Sequence, residues 1–137
     1  MNYEEIKKEL KDMQQMIECL IPDDINAALE HGKELAVYNA RSGYLVAQAK
    51  ELARKKKTQQ ISETIIKIAK EQFLSAKVQN TLLDSIASDE MYVVEWAERI
   101  NAATVHQLDF VRSILSKAKE EMRLQGYVDD MNRMKNV

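Results

Sequence analysis

The sequence predicts an all-α fold: a bundle or hairpin of three to four long amphipathic helices joined by coiled-coil-like seams. Three observations predict it. Apolar residues recur at alternating spacings of three and four along most of the chain. From Tyr44 to Gln125 there is neither glycine nor proline to turn the backbone out of a helix. Glu, Lys, Gln and Ala, all good helix formers, are abundant. With 137 residues the chain can bury one core, and a composition 45% hydrophobic and 31% charged is neither that of a disordered chain nor that of a membrane span.

The first helix, about 3–20, opens with Asn2 as N-cap and Glu5 as the reciprocal partner of a capping box, and ends before Pro22. Tyr3, Ile6, Leu10, Met13, Ile17 and Leu20 form one stripe along it that needs a partner, either the rest of the chain or a second copy. The second helix, about 24–57, begins at Asp23 or Asp24. These acids suit the exposed amides of a helix start. Leu35, Tyr38, Leu45, Ala49 and Leu52 make its large apolar stripe. Ala28, Gly32, Ala36, Ala40, Gly43 and Ala47 make a second stripe of small side chains that lets another helix approach closely. Arg54, Lys55, Lys56 and Lys57 suit a carboxyl-terminal helix end, with a turn near Thr58 to Gln60.

The third segment, about 61–87, places Ile66, Ala69, Phe73, Ala76, Asn80, Leu83 and Ala87 at heptad positions. The same register continues through Val94, Ala97, Asn101, Thr104, Leu108, Val111, Leu115, Ala118 and Met122, so 61–124 could be one helix. Ser88, Asp89 and Glu90 favour a break, with a fourth helix at about 89–124 and Gly126 at C′ beyond it. Residues 1–126 then form a single helical domain, and 127–137 a flexible tail. The polar seam residues Asn80, Asn101 and Thr104 either sit at a wet edge or fix register and oligomeric state opposite matching polar groups.

Net charge is -2, from 20 basic and 22 acidic side chains mixed along the chain, which offers no broad basic field for a phosphate backbone. Cys19 is the one cysteine, which excludes an intramolecular disulfide and a thiolate metal cluster. An acidic start without an apolar run, and no stretch of the roughly 18 apolar residues a membrane span requires, lead us to expect a cytoplasmic protein with no membrane partner.

Catalytic motifs are not recognisable. His31 and His106 lack the Glu-x-x-His pairs of a di-iron bundle, since positions 28 and 103 are alanine. Glu30, His31 and Glu34 read as ordinary surface polarity, His106 and Asp109 as neighbours on one helix face, and His31-Gly32-Lys33-Glu34 lacks the remainder of a phosphate loop. Cys19 has no nearby base in sequence. No catalytic, cofactor or metal residue is therefore assigned.

The stretch Glu95-Trp96-Ala97-Glu98-Arg99-Ile100-Asn101-Ala102-Ala103-Thr104-Val105-His106-Gln107-Leu108-Asp109, continuing through Arg112-Ser113-Ile114-Leu115 to Glu120-Glu121-Met122, is similar to a group of small helical proteins. These are encoded by bacterial prophages and related mobile elements. The resemblance covers the last third of the chain and implies a mobile-element setting, but no catalytic residue.

Three functional readings follow. The first is a non-enzymatic interaction or scaffold protein, homo-oligomeric or bound to another helical protein. Its docking surface would use Ile6, Leu10, Met13, Ile17, Trp96, Asn101, Leu108, Val111 and Leu115. The second is an accessory nucleic-acid binder using Lys50, Arg54, Lys55, Lys56 and Lys57 as phosphate contacts. The third is an enzyme whose residues assemble only in three dimensions.

Overall fold

The computed structural model describes residues 1–70 and 75–136. The described residues are all-α, with four helices in the order α1 (Tyr3–Ile17), α2 (Ile25–Lys70), α3 (Ala76–Ser85) and α4 (Ser88–Lys135). At about 1.5 Å per residue the 46 residues of α2 and the 48 of α4 are rods of roughly 70 Å each. They run antiparallel, as three cross-contacts spaced along them show. Gly32 lies against Val111, Asn39 bonds Asn101, and Lys56 pairs with Glu90.

α1 starts where the capping box places it. The Glu5 amide donates to Asn2 Oδ1 at 2.8 Å and the Asn2 amide donates to Glu5 Oε2 at 2.9 Å. The helix stops at Ile17, short of the expected residue 20, and Leu20 is 95% exposed. Pro22 disfavours helical geometry at the residue before it, so the connection must open ahead of that point. Gln107 Nε2 donates to the Ile17 carbonyl at 2.6 Å and satisfies one of the acceptors at the helix end.

The remaining stripe of α1 lies across one face of the α2–α4 pair, within its own chain. Ile6, Leu10 and Met13 are buried together with Leu45 and Ala49 of α2 and Val93, Val94, Ala97 and Ile100 of α4. Tyr3, Ile17, Tyr38, Val46, Leu52 and Trp96 pack around this cluster. Burying a side chain such as Ile6 or Leu10 contributes about 1.5–3 kcal/mol. Arg41 of α2 clasps Glu9 through two bonds of 2.7 and 2.6 Å, tying the edge of α1 to α2.

α2 is capped by Asp24, whose Oδ2 accepts from the Ala27 amide at 2.9 Å. It does not end at Lys57 or turn at Thr58 to Gln60, but runs on to Lys70. The cations of 54–57 are compensated within and across helices instead of at a carboxyl terminus. Arg54 and Lys55 reach Glu51, Lys56 reaches Glu90, and the Thr58 hydroxyl donates to the Arg54 carbonyl inside the helix. Residues 61–70 therefore belong to α2, and the expected third helix is reduced to α3, which packs against α2. Of the heptad proposed there, Phe73 and the side chains of Ile66, Ala69 and Leu83 lie outside the described residues. Ala76 and Asn80 are exposed, whereas Ala87 is fully buried.

The break before α4 is present, but its N-cap residue is Ala87, which has no side-chain cap, in place of Ser88. Asp89 and Glu90 supply the acidic first turn that suits the helix dipole. At the other end α4 does not stop at Gly126. No glycine adopts a positive φ, and the helix continues through 127–135, where a tail was expected. A single glycine costs a helix interior only about 1 kcal/mol, too little to terminate it without a proline or a left-handed cap.

Candidate functional site

The seam between α2 and α4 is polar at its centre. Asn101 Nδ2 donates to the Asn39 carbonyl and to Ser42 Oγ, each at 3.0 Å, and Asn39 Nδ2 donates to Thr104 Oγ1 at 3.0 Å. The Ser42 hydroxyl donates to the Asn39 carbonyl at 3.0 Å, and the Thr104 hydroxyl to the Asn101 carbonyl at 2.7 Å. Ser42 and Thr104 have no exposed surface. Asn101 and Thr104 are the seam residues singled out in the sequence, and matching polar groups do satisfy them. Those groups belong to the same chain. Asn39 and Ser42 escaped the sequence reading, although they fall between Leu35 and Leu45 at the spacing of that stripe.

Trp96 is half-buried between α1 and α4. Its Nε1 donates to Gln14 Oε1 at 3.2 Å, and its ring lies 6.3 Å from that of Tyr92. Like Ile6, Leu10, Met13 and Ile17, it belongs to the intramolecular contact of α1, so these five proposed partner residues are occupied within the chain. Val111 is buried against Gly32, where an added Cβ would stand 2.9 Å from Val111 Cγ1. This is the close approach the small-residue stripe predicts. Ala28 of that stripe is also buried, and an added Cβ at Gly43 would stand 3.6 Å from Asn101 Nδ2, whereas Ala36, Ala40 and Ala47 are exposed.

Leu108 and Leu115 are half-buried and line an open groove of about 290 Å³ on the face of the pair beside Gly32, together with Leu29, Ala36 and Val111. Lys33 and Arg112 stand at its rim. Both are well exposed and pair along their own helices with Glu30 and Asp109. Asp109 thus accepts from Arg112 at 3.1 Å in place of the His106 contact suggested by spacing.

The last turns of α4 carry a feature the sequence reading passed over. No residue from 119 to 136 is buried. Leu124, Tyr127, Val128, Met131 and Met134 are 50–79% exposed and follow the three-four spacing of an amphipathic stripe. The signal was present in the sequence but lay beyond Gly126, read as a stop. The stripe is on the side of the helix turned away from the seam that Val111 and Ala118 occupy.

The basic cluster is largely engaged. Lys50 lies 3.3 Å from Glu98, Arg54 2.6 Å and Lys55 4.0 Å from Glu51, and Lys56 3.0 Å from Glu90. The guanidinium of Arg54 holds the Glu51 carboxyl below the usual carboxylate range. Lys57 is exposed and makes no ion pair among the described residues. His31 Nε2 is buried without a hydrogen-bond partner among the described residues, while Glu30 turns to Lys33. Among the described residues no group of three or more His, Cys, Asp or Glu side chains is placed to hold a metal ion, and no helix is long and apolar enough to cross a membrane. No family model, curated protein or solved structure matches the chain.

Proposed function

We propose that this chain is a non-enzymatic helical interaction protein that self-associates by docking the apolar stripe on the last turns of α4. The observation that carries the reading is the exposure of Leu124, Tyr127, Val128, Met131 and Met134 on one face of a helix that extends past the core. Short amphipathic helices without a packing partner are marginal in water, and a stripe of this kind is the usual element of helix-in-groove recognition. The resemblance of residues 95–122 to prophage-encoded helical proteins supports a mobile-element setting. A nucleic-acid role for Lys50 and Arg54 to Lys57 draws less support, because four of these five cations already face carboxylates.

The test is absolute mass by light scattering over a wide concentration range. The native chain is expected to rise above its 15.8 kDa monomer mass with concentration, and Tyr127→Glu with Met131→Glu to remain monomeric. A native chain that stays at monomer mass at every concentration would refute self-association through this stripe.

A further inference from the structure

We infer that the stripe on the last turns of α4 is covered by the same stripe of a second copy, laid antiparallel about a two-fold axis. The inference rests on the reading of the stripe as a self-association element, and it names the face the stripe meets and the symmetry of the contact.

The charges along the two edges of the stripe carry the argument. Arg123 and Asp130 are seven residues, about two turns, apart and border one edge. Glu121 and Lys135 are fourteen residues, about four turns, apart and border the other. Each edge therefore has a cation toward one end and an anion toward the other, in opposite order on the two sides. When a two-fold axis relates two antiparallel helices, each edge meets its own copy with the ends exchanged. Arg123 then faces Asp130 of the second copy, Glu121 faces Lys135 of the second copy, and the symmetry repeats both pairs.

The apolar residues set a register that agrees with these pairs. With the axis between Tyr127 and Val128, Leu124 lies against Met131 of the second copy and Tyr127 against Val128. In that register each cation falls within about half a turn of its anion. Glu121, Asp130 and Lys135 make no ion pair among the described residues and are free to form these contacts. Arg123 pairs with Glu120 along its own helix, an exposed contact that contributes little and exchanges readily.

The length of the projecting helix fits as well. Lys135 of the second copy comes level with Glu120, beyond Ala118, the last buried residue of α4, so the two helical bodies lie at opposite ends of the contact. A parallel pair would instead lay the outer face of α4 along itself and set the exposed Arg99 and Lys117 against their own copies. The antiparallel contact is isologous and closes at two copies.

Charge reversal on one edge tests this, because both positions are exposed and outside the core. Arg123→Asp sets two aspartates in each facing position and Asp130→Arg sets two arginines, whereas the double variant exchanges the charges and restores the pair. Helicity is checked by circular dichroism. Light scattering is expected to show the native chain rising to twice the 15.8 kDa monomer mass and no further. Each single variant should need at least about tenfold more protein to associate, and the double variant should behave as the native chain does. A parallel contact gives a different pattern, since Asp130→Arg then faces Lys135 and stays impaired in the double variant. A native chain that grows past the dimer mass, single variants that match it, or a double variant that does not recover would overturn the antiparallel pairing and leave the proposed function standing. Monomer mass for the native chain at every concentration would overturn both.

Discussion

The two ends of α4 are built from the same residue classes at the same spacing, yet they meet different fates. Between Val93 and Ala118 the helix is covered by α1 and α2, with Val93, Val94, Ala97, Ile100, Thr104, Val111 and Ala118 buried. Beyond Ala118 it continues with an equally regular stripe that no described residue covers. Periodicity thus specifies which face of a helix seeks cover. Whether that cover is intramolecular depends on where the neighbouring helices begin and end. Here Ile25, the first residue of α2, lies beside Ala118, and the pairing stops there.

The largest effects should come from the covered half. Leu10→Ala removes a fully buried side chain from the cluster that binds α1 to α2 and α4 and should destabilise the fold by about 2–5 kcal/mol. Met131→Ala, in the uncovered half, should change monomer stability by less than about 0.5 kcal/mol. Chemical denaturation at low protein concentration measures both, and equal effects would erase the distinction.

Next comes the polar centre of the seam. Asn101→Leu removes the amide that donates to the buried Ser42 hydroxyl, leaves the Asn39 carbonyl with the Ser42 hydroxyl as its side-chain donor, and should cost about 1–3 kcal/mol. Because all four polar groups lie in one chain, the substitution should lower stability without altering mass at low concentration.

A smaller effect, opposite in sign at the two ends, is expected at the glycines. Gly32→Ala sets a methyl group against the branched, buried Val111 and should lower stability by about 1 kcal/mol despite the gain in helix propensity. Gly126→Ala meets nothing within 4 Å and should raise helix stability by about 0.5–1 kcal/mol.

The smallest effect lies at the clasp between α1 and α2. The hydrogen-bonded Arg41 guanidinium holds the Glu9 carboxyl below its ordinary value. A carboxylate depressed in the folded state stabilises the fold above its unfolded pKa and loses that contribution as pH falls through the folded value. The native chain should therefore exceed Glu9→Gln slightly in melting temperature at neutral pH, and the two should converge in acid.

The fold class was legible because helical periodicity is a local property, and the caps at Asn2 and Asp24 declare themselves in two or three residues. Helix ends were less legible. The cations at 54–57 and the glycine at 126 each have a terminal and an interior use, and only the neighbours decide. Glu90 lies 34 residues from Lys56, outside any local window. The polar seam was half legible for the same reason. Asn101 and Thr104 disrupt an apolar register and draw notice, but their partners are about 60 residues away. The stripe at 124–134 was fully legible and was masked by the weight given to one glycine.

The seam also governs how the molecule carries force. Asn39, Ser42, Asn101 and Thr104 satisfy one another in one alignment of α2 and α4. Sliding the helices by a turn of about 5.4 Å would set the Asn101 amide beside Leu35 or Val46. Longitudinal slip is therefore costly, and the pair behaves as a strut: a pull or push on the far turns of α4 is delivered along its length toward the end near Glu90 and Lys56, with no sliding joint to absorb it.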